Sequence, residues 1–475
     1  MSIAELSDGG TPSAEHPLGS RFAAMRVANL RDGAPGRELR LDRLQRIGAM
    51  VKGSRDAIIE AVDADFSGRA REETLLAEIF TTLSTVRHAR KNLGKWMRPR
   101  RRALDLAFKP ASARLIPQPL GVVGVISPWN YPLLMALSPL VGAVAAGNRA
   151  MVKPSEITPR TSALLGEMIQ AHFAADEIAV VQGGRDIGEA FSRLPFDHLL
   201  YTGSTNVGRK IMAAAAENLT PVTLELGGKS PAIIGGDADM AAAVASIVRG
   251  KLFNAGQTCV APDYILVARD ELEQFVERTL AQANKFYPSI EGNADYSAIV
   301  NQAQFDRLQT MLGQAEDQGA RILTAGTGAG RKMPLTLLLD TKDAMAVRRE
   351  EIFGPLLPVI PYDDISDAIS HVQKGDRPLA LYIYSRDQNA IDRVLGETIS
   401  GGAVVNDCLI HAGVEDLPFG GVGASGMGHY HGREGFETFS KLKPVMYQSR
   451  WNAMWLLNPP YGKRAKAMIN LLLKR

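Results

Sequence analysis

Apolar positions fall into two textures along the chain. Between residues 43 and 99 they recur at three and four residues, with Leu44, Ile47 and Met50 on one stripe and Leu75, Leu76, Ile79, Phe80, Leu83 and Val86 on the next. That period predicts amphipathic helices with one face against a core. Beyond Pro117 and Pro119 the pattern shortens to compact runs: GVVGVISP (121–128), RAMVKPS (149–155), EIAVVQGG (177–184), HLLYTGS (198–204) and PVTLELGG (221–228). These runs predict buried strands, and the helical stretches between them predict a parallel sheet covered on both faces.

The alternation starts again at SPAIIGG (230–236), followed by DADMAAAVASIVRGKLFNAG (237–256), which has the acidic start and glycine end of a helix. YILVA, SAIV, PLLPVIPY and PLALYIYS continue the strand-like series. The expected organisation is a loosely ordered N-terminal arm over residues 1–42, a helical lead-in and first α/β domain over 43–226, and a second α/β domain over 227–405. A return segment with a Gly-rich loop (406–440) and a basic, Trp-bearing tail (441–475) complete it.

Length and composition narrow the possibilities. With 475 residues the chain is long enough for two or three domains and a cleft between them. Its 54 Lys and Arg against 51 Asp and Glu leave a net charge of +3, which supplies no electrostatic footprint for nucleic acid. Two cysteines cannot build a disulfide scaffold, and the first residues lack the basic and apolar regions of a secretory signal, so a cytoplasmic protein is expected. From Lys441 onward there are eight Lys or Arg and no Asp or Glu, interleaved with Trp451 and Trp455. The apolar runs there are too short for a bilayer span, which leaves peripheral membrane contact or cover for a neighbouring subunit.

Several residue groups are candidates for chemistry. Cys259, in GQTCVAP just past the predicted helix, reads either as a nucleophile facing a cleft or as a small buried hydrophobe. Cys408 in VVNDCL has less local support for reactivity. Glu225 in TLELGG stands at the end of an otherwise apolar strand, where sites form in parallel sheets; it reads as a general base or as a capping or ion-paired carboxylate. Asn130, bracketed by Pro128 and Pro132, reads as a rigidly held oxyanion donor or as a turn residue.

The segment YTGSTNVG, with Gly203, Ser204, Val207 and Gly208, departs from the Gly-x-Gly-x-x-Gly fingerprint yet still places a softened strand-to-helix turn and free helix N–H groups where a pyrophosphate could bind. Lys153 and Glu156 in VKPSE read as ribose ligands or as a solvated turn. REEIFGPLLPV contributes Glu350, Glu351, Phe353 and Pro355. The stretch LPFGGVGASGMGHYHG carries six glycines from Gly420 to Gly432, too many for a helix or strand, and predicts a closely packed loop. His429 and His431 within it lack accompanying Cys or acidic residues, so no metal site is assigned.

Taken in order, SPWNYP, VKPSE, YTGSTNVG, TLELGGKSP, NAGQTCVAPDY, EEIFGPLLPV and PFGGVGASGMGHYHG resemble the NAD(P)-dependent aldehyde dehydrogenase superfamily over residues 110–440. The CVAPDY segment looks like the branch holding the class 3 and fatty aldehyde enzymes, and VRHARKNLGKWMRPRR and NPPYG look most similar to bacterial coniferyl aldehyde dehydrogenases. The resemblance implies an α/β fold with a Rossmann-type cofactor domain, a second α/β domain carrying the catalytic thiol and a small oligomerisation element. It implies Cys259 as nucleophile, Asn130 and the Cys259 N–H as oxyanion donors, and Glu225 as general base. It further implies Lys153 and Glu156 at the adenosine ribose, Gly203, Ser204 and Val207 at the pyrophosphate turn, Glu351 and Phe353 at the nicotinamide ribose, and Trp129 lining the crevice. The substrate implied is coniferyl or a related aromatic aldehyde, with long-chain aliphatic aldehydes as the alternative. The resemblance also implies NAD in preference to NADP, with NADP possible, and a homodimer.

Overall fold

A computed structural model describes residues 17–452 and 454–473; part of the expected loose arm and the end of the basic tail lie outside these. Within the arm the chain is helical, with α1 over Pro17–Asp32 and α2 over Arg37–Gly53. The arm is therefore not loose from residue 17 onward. Leu18, Phe22 and Met25 form a helical stripe that packs on the first sheet, where Phe22 meets Phe196 edge-on at 5.2 Å. The Gly and Pro residues flanking this stripe concealed it.

Helix α3 (Arg55–Phe66) leads to α4 (Arg71–Glu73), which runs through a π-helical stretch, Thr74–Phe80, into α5 (Thr81–Trp96). The wider π turn rotates the face that meets the core. Leu76 and Phe80, assigned to the apolar stripe, are each 56% exposed, whereas Glu73, Thr74, Glu78 and Thr82 are buried. The predicted stripe is thus displaced toward polar residues, with consequences for the site.

Strands β1 (Arg100–Arg102) and β2 (Ser112–Pro119) precede β3 (Val122–Ile126). Then follow α6 (Leu134–Ala146), β4 (Arg149–Lys153), α7 (Pro159–His172), β5 (Ile178–Val180), α8 (Arg185–Ser192), β6 (His198–Gly203), α9 (Thr205–Ala216) and β7 (Val222–Leu226). The second series comprises β8 (Pro231–Ile234), α10 (Met240–Leu252), β9 (Tyr264–Ala268), β10 (Arg321–Thr324), β11 (Thr336–Leu339), β12 (Leu356–Tyr362), β13 (Ala380–Tyr384) and β14 (Gly402–Val405). Two further strands, β15 (Gly426–Met427) and β16 (Ser440–Tyr447), close the chain's sheet structure.

The first sheet has the order β15-β7-β6-β3-β4-β5, parallel from β7 to β5. Strand order reverses between β3 and β6, so the chain leaves these neighbours in opposite directions and opens a crevice beyond their carboxyl ends. The second sheet, β10-β11-β12-β9-β8-β13-β14, is parallel except for β10. The fold is thus a Rossmann-like sheet joined to a second α/β domain.

Three local expectations change. SAIV (297–300) forms no strand, because its N–H groups bond to three separate places, Gly68 O, Arg331 O and the side chain of Gln257. The Gly-rich loop contains the short β15, whose Gly426 pairs with Glu225 of β7. The basic tail begins in β16, which pairs antiparallel with β2. Among the described residues no helix is long and apolar enough to cross a membrane.

Candidate active site

The carboxyl ends of the first sheet's strands converge on one open cleft. It is lined by Trp129, Asn130, Gly203, Ser204, Glu225, Cys259, Glu351 and Phe353, together with Met135, Arg307, Phe419 and Tyr430. Lys153, Glu156 and Val207 lie outside this lining. Lys153 ends β4 beside β3, buried, and its ammonium donates to Glu156 at 2.7 Å. Val207 sits in the first turn of α9, where its N–H donates to the capping hydroxyl of Ser204 at 3.4 Å. Cys408 is buried away from the cleft lining, with its thiol directed at Ser246 O.

The segment before Cys259 departs from the expected helix. Helix α10 stops at Leu252, and Asn254, Ala255 and Gly256 take left-handed φ angles of 52°, 51° and 77°. Such conformations in non-glycine residues cost about 1–3 kcal/mol each and persist only where the surroundings impose them. Gly256 is required on two grounds, since its φ is positive and a Cβ there would overlap the carbonyl of Gly354. The turn is held from several sides. Asn254 Nδ2 donates to Asn130 O and to Gln257 O, both at 3.1 Å. Gln257 Nε2 donates to Asn254 O at 2.9 Å and to Ala298 O at 3.0 Å, while its Oε1 accepts from Val300 N–H at 2.9 Å. The result is a thiol displayed from a turn held by hydrogen bonds to three other segments, with Asn254 Oδ1 left without a partner among the described residues.

Asn130 follows β3 and is 5% exposed. Its side-chain amide donates to Gln257 O at 3.1 Å, which sets the amide orientation and leaves its second N–H free of that bond. Glu225 is 2% exposed, and neither carboxyl oxygen has a hydrogen-bond partner among the described residues. Burial therefore pushes its pKa well above the usual carboxyl range. Burial also raises the Cys259 thiol to about 12, with further increments from Glu351 and Glu225. Glu351 itself is pushed up to about 8, by burial first and then by Asp263. Its carboxyl group lies so close to Gly227 that a Cβ at 227 would overlap it. A partly buried thiol near the carboxyl groups of Glu225 and Glu351 keeps its proton at neutral pH until a base or a cationic neighbour intervenes.

The residues fit a dinucleotide. Gly203 admits no Cβ, because one would overlap the Tyr201 hydroxyl. Ser204 caps α9, so the helix N-terminus opens onto the cleft with its N–H groups available to an anion. Trp129 and Phe353 meet edge-on at 5.3 Å, forming an aromatic wall.

Other residues were not foreseen. Lys229 forms an ion pair with Asp263 and donates to Val347 O and Glu350 O, while Asp263 accepts from Ile352 N–H at 2.9 Å. Those contacts hold the Glu351 segment in place. Arg69, Glu73 and Glu78 are buried behind the Asn130 loop. The carboxylate of Glu78 accepts from Leu133 N–H and Leu134 N–H at 3.1 and 2.7 Å, capping the start of α6. Amphipathic periodicity places charges outside, so RAREETLLAEIF carried no local sign of a buried cluster. The tertiary cue is the π turn.

Residues 34–445 match the model of the aldehyde dehydrogenase family. The chain is 51% identical over 459 residues to the probable coniferyl aldehyde dehydrogenase of Pseudomonas aeruginosa, covering 96% of each chain. It is 46% identical over 481 residues to the coniferyl aldehyde dehydrogenase of a Pseudomonas species, covering 100% of this chain and 99% of that one. Among solved structures, the substrate-bound state of Staphylococcus aureus AldH is similar at a TM-score of 0.91 and 36% identity, covering 95% of this chain and 99% of that chain. The sheet reversal, the nucleotide-compatible crevice and these likenesses agree: the chain belongs to the aldehyde dehydrogenase family and is an NAD(P)-dependent aldehyde dehydrogenase.

Proposed function

We propose that the enzyme oxidises coniferyl aldehyde or a related aromatic aldehyde to its acid, with Cys259 as nucleophile, Asn130 as oxyanion donor and Glu225 as general base. The observation that carries this reading is the presence of all three side chains in one cleft whose other end fits a dinucleotide. Phe419 and Tyr430 stand edge-on at 5.9 Å in the lining and favour a flat, partly apolar substrate. The relatives named as coniferyl aldehyde dehydrogenases support the same substrate class.

The division of labour follows from the chemistry of each group. The Cys259 thiol loses its proton to solvent in the open cleft, and the thiolate Sγ bonds to the carbonyl carbon, giving a thiohemiacetal anion whose oxygen accepts from Asn130 Nδ2 and from the Cys259 N–H. A dinucleotide would be held by Lys153 and Glu156 at its adenosine ribose, by Gly203, Ser204 and Val207 at its pyrophosphate and by Glu351 and Phe353 at its nicotinamide ribose, and would supply the hydride acceptor. The resulting Cys259 thioester is hydrolysed by water that yields its proton to the ionised form of Glu225, a form that burial makes scarcer at low pH, so this step quickens as pH rises. Glu225 has room for that task because no hydrogen bond among the described residues occupies its oxygens. The Glu156 carboxylate, paired with Lys153, accepts from a free 2′-hydroxyl and repels a 2′-phosphate, which favours NAD over NADP.

A homodimer is supported by β14 and β16, each of which ends a sheet and carries exposed positions. Free Cys259 and Cys408 suit the reducing cytoplasm. The tail's exposed Trp451, at 88%, and its basic helix Lys463–Leu473 support contact with an anionic membrane surface. Cosedimentation with anionic vesicles that survives removal of residues 448–475 would sink that last reading.

Substrate choice is tested by kcat/KM for coniferyl aldehyde, benzaldehyde, hexanal and a long-chain aldehyde, each with NAD and with NADP. A strong preference for the long-chain substrate overturns the aromatic assignment. Cys259→Ala is expected to abolish oxidation while retaining nucleotide binding; retained turnover overturns the nucleophile assignment.

A further inference from the structure

Arg69 is a buried guanidinium with an unusual set of partners. Its side chain is 0% exposed, and two of its three nitrogens, Nε and one terminal NH2, have no hydrogen-bond partner among the described residues. The remaining nitrogen donates to the backbone carbonyl of Asn130 at 3.1 Å. The guanidinium also lies over the rings of Phe66 and Tyr131, 4.9 and 5.0 Å from their centroids. Burying a cation this way is costly, and it is weak evidence for a contribution to stability.

Two routes connect this cation to the thiol turn. In the first, Arg69 Nε stands 3.7 Å from Glu73 Oε2, and Glu73 Oε1 accepts from Asn254 N–H at 3.0 Å. Asn254 opens the left-handed turn, and its Nδ2 shares the Asn130 carbonyl with Arg69. In the second, the Tyr131 ring beneath the guanidinium carries a hydroxyl 2.6 Å from Thr258 Oγ1, next to Cys259 in the chain. Asn130 and Cys259 come from different domains of the chain, and their relative placement decides whether two donors can reach one oxygen.

We propose that Arg69, acting with Glu73, is a positioning residue that clamps the Asn130 loop to the Cys259 turn and sets the separation of the two oxyanion donors. The inference rests on the reading of Asn130 as an oxyanion donor. Arg69 is not in the cleft lining, so it works through Asn130 and the turn, without touching the aldehyde.

A double-mutant cycle with Asn130→Ala tests the clamp. Arg69→Gln is expected to lower kcat/KM for aldehyde by about 10- to 100-fold, chiefly in kcat, with the KM for NAD little changed. Arg69→Lys restores part of the loss, because an ammonium keeps the charge but not the planar stack on both rings. In the Asn130→Ala background the same Arg69→Gln change is expected to cost less than about twofold, since the donor it positions is gone. Glu73→Gln and Tyr131→Phe, which nearly preserve volume, run the same cycle should Arg69→Gln fail to fold; circular dichroism reports folding.

Losses that add fully across the cycle overturn the clamp, as does an undiminished kcat/KM in Arg69→Gln beside a large loss in Asn130→Ala. Wild-type kcat/KM in Asn130→Ala overturns the oxyanion reading itself, and the clamp with it.

Discussion

The side-chain amide of Asn130 donates to the main-chain carbonyl of Gln257 at 3.1 Å, tying the loop after β3 to the turn that carries Cys259. One amide hydrogen is committed to this bond and the other is available to a substrate oxygen. Asn130→Ala removes both. The expected loss in kcat is about 100- to 1000-fold, the range for a single oxyanion donor. Steady-state kinetics on the purified variant check it, and a loss under about fivefold would exclude a direct role.

The thiol's raised pKa makes a prediction about alkylation. With the Cys259 pKa near 12, only a small thiolate fraction exists at neutral pH in the absence of nucleotide. Iodoacetamide should therefore modify Cys259 slowly at pH 7, and the rate should climb about tenfold per pH unit toward pH 10. A plateau below pH 9, followed by mass spectrometry of the Cys259 peptide, would contradict the burial argument.

Glu351 contributes to that raised pKa only when ionised. Its own value is near 8, so its charge is absent at pH 6.5 and present at pH 9.5. Glu351→Gln should accelerate Cys259 alkylation above pH 8 and leave it nearly unchanged at pH 6.5. Superimposable pH profiles for the two proteins would show that the Glu351 charge does not reach the thiol.

Burying Glu225 without a hydrogen-bond partner among the described residues has a cost that depends on pH. In the unfolded chain the carboxyl ionises near its usual value, about 4.3, while in the folded protein burial holds the proton to much higher pH. The folded state binds more protons through that window, so this group's contribution to stability is complete below pH 4 and declines as pH rises. Glu225→Gln should gain Tm relative to the parent on going from pH 4 to pH 8. During turnover the same variant should accumulate acyl-enzyme, visible as an added mass on Cys259. Equal Tm differences at the two pH values would count against a neutral buried acid.

Gly256 is predicted to be intolerant of any side chain. At φ 77° with the Gly354 carbonyl against its Cα, alanine must strain the turn or displace Gly354. Gly256→Ala should destabilise the protein by about 1–3 kcal/mol and reduce kcat by misplacing Cys259. Thermal unfolding and kinetics together test this; an unchanged Tm would mean the turn is more compliant than its packing implies.

Much of the site was legible in the sequence because each residue occupies a position that local pattern can locate. Glu225 interrupts an apolar strand just before two glycines, Asn130 lies between prolines after a strand, and Ser204 stands where a strand hands over to a helix. The strand order was not stated by any of these runs, since pairing partners come from elsewhere in the chain. SAIV illustrates the failure: its apolar letters suit a strand, but Gly68, Gln257 and Arg331 claim its N–H groups. Helix α1 was missed for the opposite reason, its stripe being short and flanked by residues typical of loops.

By itself, the order of strands, helices and polar interruptions determined the α/β class and the set of chemically distinct candidates, because periodicity and backbone preference act over a few residues. Only the tertiary structure decided that Cys259, Asn130 and Glu225 share a cleft, that α10 ends early in a left-handed turn, and that Glu73 and Glu78 face inward. Those outcomes depend on packing across more than a hundred residues of sequence. The cost of the left-handed turn at Asn254 is offset by hydrogen bonds that Asn254 donates to Glu73, Asn130 and Gln257, and no window around Asn254 contains all three.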